Sequence, residues 1–220
     1  INTTTTGVSS SPAKGVWMGT NYYFASNNGI NGIELWKTDG TAANTVMLKD
    51  INVGNGSSSP ANMVVVGSTL YFAANDGING LELWKTDGTA AGTVMVKDIE
   101  PGADGSNPSA LVQMGSLLVF NANTDAAGDE LWKGEGTATG TGVIKEIITG
   151  YVGGGINRLI STGTKVYFSA SSTPVGNYEL YKSDGTIAGT GLVKEIDPSA
   201  IVGGIQGAVF TWGENLYFGA

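Results

Sequence analysis

The sequence predicts an all-β fold, a β-propeller of four-stranded blades, on three observations. The segment Glu82-Leu83-Trp84-Lys85-Thr86-Asp87-Gly88-Thr89 recurs as near copies at 34–41, 130–137 and 179–186. The copies are evenly spaced: 48 residues from Trp36 to Trp84, 48 from Trp84 to Trp132 and 49 from Trp132 to Tyr181, a period typical of propellers and solenoids. Charged residues make up only 14% of the chain and Gly accounts for 35 of its 220 residues, so turns are frequent and long amphipathic helices are not expected.

Taken in order, each repeat opens with a hairpin. The pattern appears five times, at 16–24, 64–72, 112–120, 160–168 and 209–218, with Gly19, Gly67, Gly115, Gly163 and Gly213 near the centres. β-branched and aromatic flanks around Gly67-Ser68 read as two strands joined by a tight turn. In the second copy, strand a falls at about 63–66, b at 69–74, c at 81–85 and d at 93–99. Asn31-Gly32 and Asn79-Gly80 read as tight b–c turns. The link at 100–110 holds Pro101, Gly102, Gly105 and Pro108 and reads as the crossover to the next sheet. Leu70-Tyr71-Phe72-Ala73-Ala74 is apolar on both alternating faces, as a blade covered by neighbours on either side requires.

These elements predict one repeat domain over 1–220, with blades at about 13–52, 61–100, 109–148 and 157–197 and a partial fifth at 206–220. The partial blade has only strands a and b. It reads either as the thin last blade of a five-bladed ring or as part of a longer array. Self-association through it is expected to cover an edge that would otherwise invite aggregation.

The repeated motif has structural duties. Alternation places Glu34 and Trp36 on one side of strand c, with Leu35 and Lys37 on the other. Pairing Lys37 with Val46 sets Trp36 against Met47 and Glu34 against Lys49. The same offset recurs for Glu82/Lys97, Glu130/Lys145 and Glu179/Lys194, which predicts a cross-strand ion pair in every blade. Asp39, Asp87, Glu135 and Asp184 open the c–d turn ahead of a glycine, and Thr45, Thr93, Thr141 and Thr190 close it.

Composition excludes several function classes. The net charge is −8, and each repeat carries two Lys and three acids, which accounts for 8 of the 11 basic and 12 of the 19 acidic residues. An acidic surface without a basic patch argues against nucleic acid and anionic membrane as partners. No apolar run reaches the roughly 18 residues of a membrane-spanning helix, so no membrane insertion is expected. Cys and His are absent, which removes disulfides, thiolate chemistry and the commonest general base. The chain begins at Ile1 without an apolar leader and reads as a processed form or a piece of a longer chain.

Candidate sites are few. Asp76, Asn79 and Glu82 offer hard oxygens in a Gly-rich turn, a calcium pattern whose ligand count is not kept in the other copies; apart from that, no cofactor is expected. Trp36, Trp84, Trp132 and Tyr181 place one equivalent ring per blade, either as a sugar-stacking platform or as interblade core. Trp17 and Trp212 occupy other repeat positions and are expected to be exposed. Paired carboxylates such as Asp125, Asp129 and Glu130 offer a glycosidase reading, and nothing separates them from turn residues. No catalytic residue is assigned, and the chain reads as no enzyme.

The Glu-Leu-Trp-Lys-x-Asp-Gly-Thr segments at 34–41 and 82–89 resemble the signature of the bacterial ELWxxDGT-repeat, or hyalin-like, proteins. The resemblance covers nearly the whole chain. Copy three departs from it with Gly134-Glu135-Gly136 and copy four with Tyr181. The resemblance implies an extracellular or cell-surface module for structural or adhesive binding, with a protein or glycan at a cell surface as partner. A multivalent, lectin-like propeller, calcium-assisted, is the alternative.

Overall fold

The computed structural model describes residues 10, 12–147, 155–171, 178–195 and 206–219. Among these there is no helix. The first repeat forms β1 (Val16–Met18), β2 (Asn21–Asn27), β3 (Ile33–Thr38) and β4 (Val46–Lys49). The second forms β5 (Ala61–Val66), β6 (Thr69–Asn75), β7 (Leu81–Thr86) and β8 (Val94–Lys97). The third forms β9 (Ser109–Met114), β10 (Leu117–Thr124), β11 (Gly128–Gly134) and β12 (Gly142–Lys145), and the fourth β13 (Asn157–Ser161), β14 (Val166–Ser171), β15 (Tyr178–Ser183) and β16 (Gly191–Lys194). A last hairpin, β17 (Gln206–Trp212) with β18 (Asn215–Gly219), is the partial fifth blade. Within each repeat the strands pair antiparallel in chain order.

The turns follow from local chemistry. Gly32 and Gly80, in the b–c turns, have φ of 68° and 70°. A side chain on either would run into the link that follows strand d, at Gly56 for Gly32 and at Gly105 for Gly80, so bare backbone lets turn and link close up. Glycine is not the only residue in this region of backbone space. Asn62, Ala110 and Arg158, at the bulges near the start of strand a, sit at φ of 54°, 51° and 52°.

By internal packing the chain divides into two compact units, Ile1–Pro108 and Ser109–Ala220, where the sequence reads as one repeat domain. Each contains two whole blades around a shared core. In the first unit, Met18, Tyr23, Leu35 and Leu48 of one blade cluster with Leu70, Phe72, Ala74 and Trp84 of the next. In the second, Met114, Val119, Leu131 and Ile144 cluster with Val166, Phe168, Ala170 and Tyr181. Neither face of a single sheet buries itself, so the stabilising burial lies between neighbouring blades.

The expected Glu–Lys cross-strand pair does not form. Lys37 faces Val46 and Trp36 faces Met47, but a register shift between Leu35 and Trp36 brings Leu35 opposite Lys49. The shift recurs at Leu83, Leu131 and Leu180. It frees both charged partners for longer-range duties. Lys49 Nζ donates to the Thr93 carbonyl of the next blade at 2.6 Å, and Lys37 Nζ to Gly88 O at 2.8 Å. In the second unit Lys133 reaches Gly185 O at 3.0 Å and Lys145 reaches Thr190 O at 2.8 Å. Each lysine thus ties its blade to the c–d turn of the following one.

The glutamates are buried clamps. Glu34 is fully buried and accepts from the amides of Ile51, Asn52 and Ser58 at 2.9, 3.3 and 3.0 Å, and from Ser58 Oγ at 2.5 Å. Glu82 does the same for the next link, accepting from Glu100 N, Ser106 N and Ser106 Oγ at 3.0, 2.9 and 2.7 Å. Strand c of one blade therefore holds the crossover to the next.

Burial raises the carboxyl pKa of Glu34 and Glu82, against the opposing pull of the serine and amide bonds. The threonine bonds in the c–d turns lower those of Asp39, Asp87 and Asp184. A group raised in the folded state stabilises fully below its unfolded value, and that contribution fades as pH rises through the folded value. For a lowered group the contribution is present above the unfolded value and fades as pH falls. Thermal stability is therefore expected to peak in the mildly acidic range, with Glu34 and Glu82 setting the alkaline decline. Melting curves from about pH 8 to about pH 3 check this, and Glu82→Gln should flatten the alkaline side.

Candidate functional site

The c–d turns gather on the same side of their blades as the a–b turns, and together they make a polar surface with concave ground in the first unit. Asp39 Oδ1 accepts from Thr41 N at 2.9 Å and Thr41 Oγ1 at 2.7 Å, while Asn44 Nδ2 donates to Oδ2 at 2.6 Å. Asp87 and Asp184 hold Thr89 and Thr186 in the same way. Thr45, Thr93, Thr141 and Thr190 donate back to the threonine carbonyl four residues earlier at 2.6–2.7 Å. In the third copy the turn is closed by Glu135 N, which donates to Gly140 O at 3.2 Å, and by Thr137 Oγ1, which accepts from Gly140 N.

Among the described residues, depressions open on this surface in the first unit. One of about 330 Å³ is lined by Thr20, Asn21, Lys37, Asp39, Asn44 and Val46. Its counterpart one repeat on, about 210 Å³, is lined by Thr69, Lys85, Asp87, Gly92 and Val94. The third, about 410 Å³, lies between the two blades, with Met18, Asn21 and Tyr23 on one side and Gly67, Ser68 and Asp87 on the other. In the first two a carboxylate, an ammonium group, a hydroxyl or amide and a half-exposed valine recur at matching repeat positions. Sequence reasoning missed these depressions, because the strand-b residues and the turn carboxylate that line them are about 18 residues apart in the chain. Periodic matching of Asn21 with Thr69 and Lys37 with Lys85 is the signal that could have found them.

The ring reading is corrected. Trp36, Trp84, Trp132 and Tyr181 are each only 7% exposed and present no face for stacking. Trp84 sits in the interblade core with Lys49 Nζ 6.0 Å from its ring centroid, and Trp132 and Tyr181 pack on Phe120 and Phe168. Trp17 and Trp212 lie at the surface, 63% and 76% exposed. Trp17 packs against Tyr22 at 5.3 Å, and Trp212 shares the last hairpin with the stacked Phe210 and Tyr217.

Of the three residues in the calcium reading, Glu82 is held apart from Asp76 and Asn79. Asp76 accepts from Ile78 N, Asn79 N and Asn79 Nδ2, whereas Glu82 is buried against the link at 100–106. The carboxylates are engaged by N–H donors in separate places, and the described residues contain no group of three or more His, Cys, Asp or Glu able to hold a metal. Asp125, Asp129 and Glu130 do not act together either: Asp129 takes Asn123 Nδ2 at 3.4 Å and Glu130 is buried on Ile147 N. No helix of the described residues is long and apolar enough to cross a membrane.

No family model matches the chain, and no curated protein matches its sequence. Among solved structures it is similar to a puromycin hydrolase, an S511A mutant complexed with PGG, at 16% identity and a TM-score of 0.56, over 90% of this chain and 31% of that one. A prolyl endopeptidase aligns at 13% identity and a TM-score of 0.53, over 79% of this chain and 24% of that one. The fold is a β-propeller. An α-L-arabinofuranosidase from Clostridium thermocellum aligns at 14% identity and a TM-score of 0.36, over 93% of this chain and 79% of that one. The chain spans about a quarter to a third of the length of the first two propeller-containing enzymes. The expectation that the chain is no enzyme is corrected by the puromycin hydrolase and the prolyl endopeptidase: both are enzymes, so a repeat propeller gives no ground for excluding a reaction.

Proposed function

We propose that this propeller is a carbohydrate-binding module of the ELWxxDGT-repeat kind, acting outside a bacterial cell or at its surface, with its turn surface as the glycan-binding face. The observation that carries the reading is the recurrence of one polar depression at matching positions of two successive blades, Lys37, Asp39 and Val46 in one and Lys85, Asp87 and Val94 in the other. Carboxylate and ammonium groups bond sugar hydroxyls from both the acceptor and the donor side, and a valine edge meets an apolar sugar face. Repetition favours weak sites that gain strength together on a multivalent surface. The motif resemblance supports the broader reading of an adhesive module, for which glycan is the partner chemistry this surface suits best.

A glycan array tests it. Binding to a coherent set of glycans is expected, and Thr20→Trp, which fills ground shared by two of the depressions, should weaken it at least tenfold without a change in melting temperature, since Thr20 is an exposed turn residue. A blank array would defeat the reading. Binding that disappears with chelator would show a cation taking part and return attention to the turn at 75–82.

A further inference from the structure

The 410 Å³ depression between the first two blades is lined by polar groups from both of them. Tyr23 is 2% exposed, and its hydroxyl makes no hydrogen bond among the described residues. The phenol lies on the bare backbone of Gly88, where a Cβ would come within 2.5 Å of Oη. Asp87, on the same turn, faces the depression with Tyr23, and burial together with the Asp87 charge makes the phenol harder to ionise, so it stays a donor at neutral pH. Asn21 and Ser68 add an amide and a second hydroxyl at the rim. The Asp87 turn is pinned from below by Lys37, whose Nζ donates to Gly88 O at 2.8 Å, so these groups are held in place before any ligand arrives.

The third blade supplies an internal control. Its strand b has the same place in the repeat and meets the Asp184-Gly185-Thr186 turn of the fourth blade as strand b of the first meets Asp87-Gly88-Thr89. There Leu117 stands where the first blade has Asn21, and Val119 where it has Tyr23. A Cβ on Gly185 would touch Met114 and Leu117 side chains at 3.0 and 3.3 Å, an apolar lining. The third blade's junction therefore packs with an apolar lining at these positions. Asn21, which gives way to Thr69 and Leu117 in the next two blades, and the Tyr23 hydroxyl, which makes no hydrogen bond to the described residues, are both available to a ligand in the first junction.

Resting on the carbohydrate reading above, we infer that the cleft between the first two blades is a single selective subsite for one uncharged sugar residue, with Tyr23 Oη and Asn21 donating to it and Asp87 accepting from a pair of its hydroxyls. The volume lies within the usual range for small-ligand sites. The exposed carboxylate and the absence of an uncommitted cation in the lining select against sialylated or sulfated glycans, whose anionic groups would meet Asp87. The junction between the third and fourth blades lacks the subsite.

Isothermal titration of the whole chain with the methyl glycosides of glucose, galactose and mannose, and with sialyllactose as the anionic probe, tests this. One site per chain for at least one neutral glycoside, and none for sialyllactose, is expected. Tyr23→Phe should weaken that affinity about tenfold and leave the melting temperature unchanged, as expected for loss of one hydrogen bond to the ligand. The double variant Asn21→Leu, Tyr23→Val copies the third blade, whose packing shows that the fold accepts these residues, and it should abolish the titration heat. Unchanged affinity in both variants, or preference for sialyllactose, overturns the subsite while leaving a positive glycan array standing. A blank array overturns both.

Discussion

Glu82→Ala is expected to lower the free energy of unfolding by about 3–5 kcal/mol, which urea denaturation followed by tryptophan fluorescence will measure. The residue is fully buried, and four donors converge on its carboxylate: the Ile99 amide, together with Glu100 N, Ser106 N and Ser106 Oγ at 2.7–3.0 Å. Truncation leaves all four in the interior without an acceptor, each at a cost of about 1–3 kcal/mol, of which relaxation of the exposed part of the link recovers a portion. The effect should reach beyond one blade, because the link it holds leads from β8 to β9. Glu82→Gln keeps the shape and one acceptor but turns an N–H₂ group toward other donors, so a smaller loss of about 1–3 kcal/mol is expected. A loss under about 1 kcal/mol for Glu82→Ala would mean that the link is held by something other than this carboxylate.

Trp84→Ala should cost a similar amount, about 3–5 kcal/mol, through the lost transfer energy of a buried ring and the cavity it leaves. Trp84 clusters with Met18, Tyr23, Leu35 and Leu48 of the preceding blade and pairs with Phe72 and Met95 within its own. Its Nε1 is buried without a partner among the described residues, so Trp84→Phe removes an unsatisfied donor along with part of the ring and should cost less than about 2 kcal/mol. The pair of variants separates core from ligand platform. Loss of melting temperature that follows ring volume marks core; loss of glycan binding at unchanged melting temperature would restore the stacking platform.

How far the sequence is legible depends on the range of the forces involved. Strand c and its turn were readable in every copy because alternation and Asp-Gly-Thr chemistry act over a few residues, and the structure has β3, β7, β11 and β15 there. The Glu–Lys pair was misread for a specific reason. A constant sequence offset suggests a cross-strand contact, but the shift between Leu35 and Trp36 moves the partner by one residue, and a one-residue slip sends a side chain to the other face. Glu34 then turns inward to three backbone amides and Lys49 outward to the next blade.

The candidate site divides in the same way. The turn carboxylates Asp39 and Asp87 were legible as turn residues, but their place on the walls of concave ground was not, since the opposing wall comes from strand b or from the a–b turn of the neighbouring blade. The burial of Trp36, Trp84, Trp132 and Tyr181 was one of two readings left open by their spacing, because an apolar ring repeated in every blade has the same period whether it stacks on a ligand or on the next blade.

By itself the sequence determined the repeat, its four-strand unit, the hairpin glycines and the c–d turns, all set by periodicity and by conformational preferences that each segment expresses locally. Only the tertiary structure decided which charged groups clamp links, which lysines bridge blades, that Tyr23 brings a hydroxyl to a cleft beside Asp87, and that the third blade lines the same place with Leu117 and Val119. Those outcomes depend on which surfaces meet across a blade junction, where burial penalises every unpaired polar group and so assigns each side chain a role that its own neighbours in the chain do not specify.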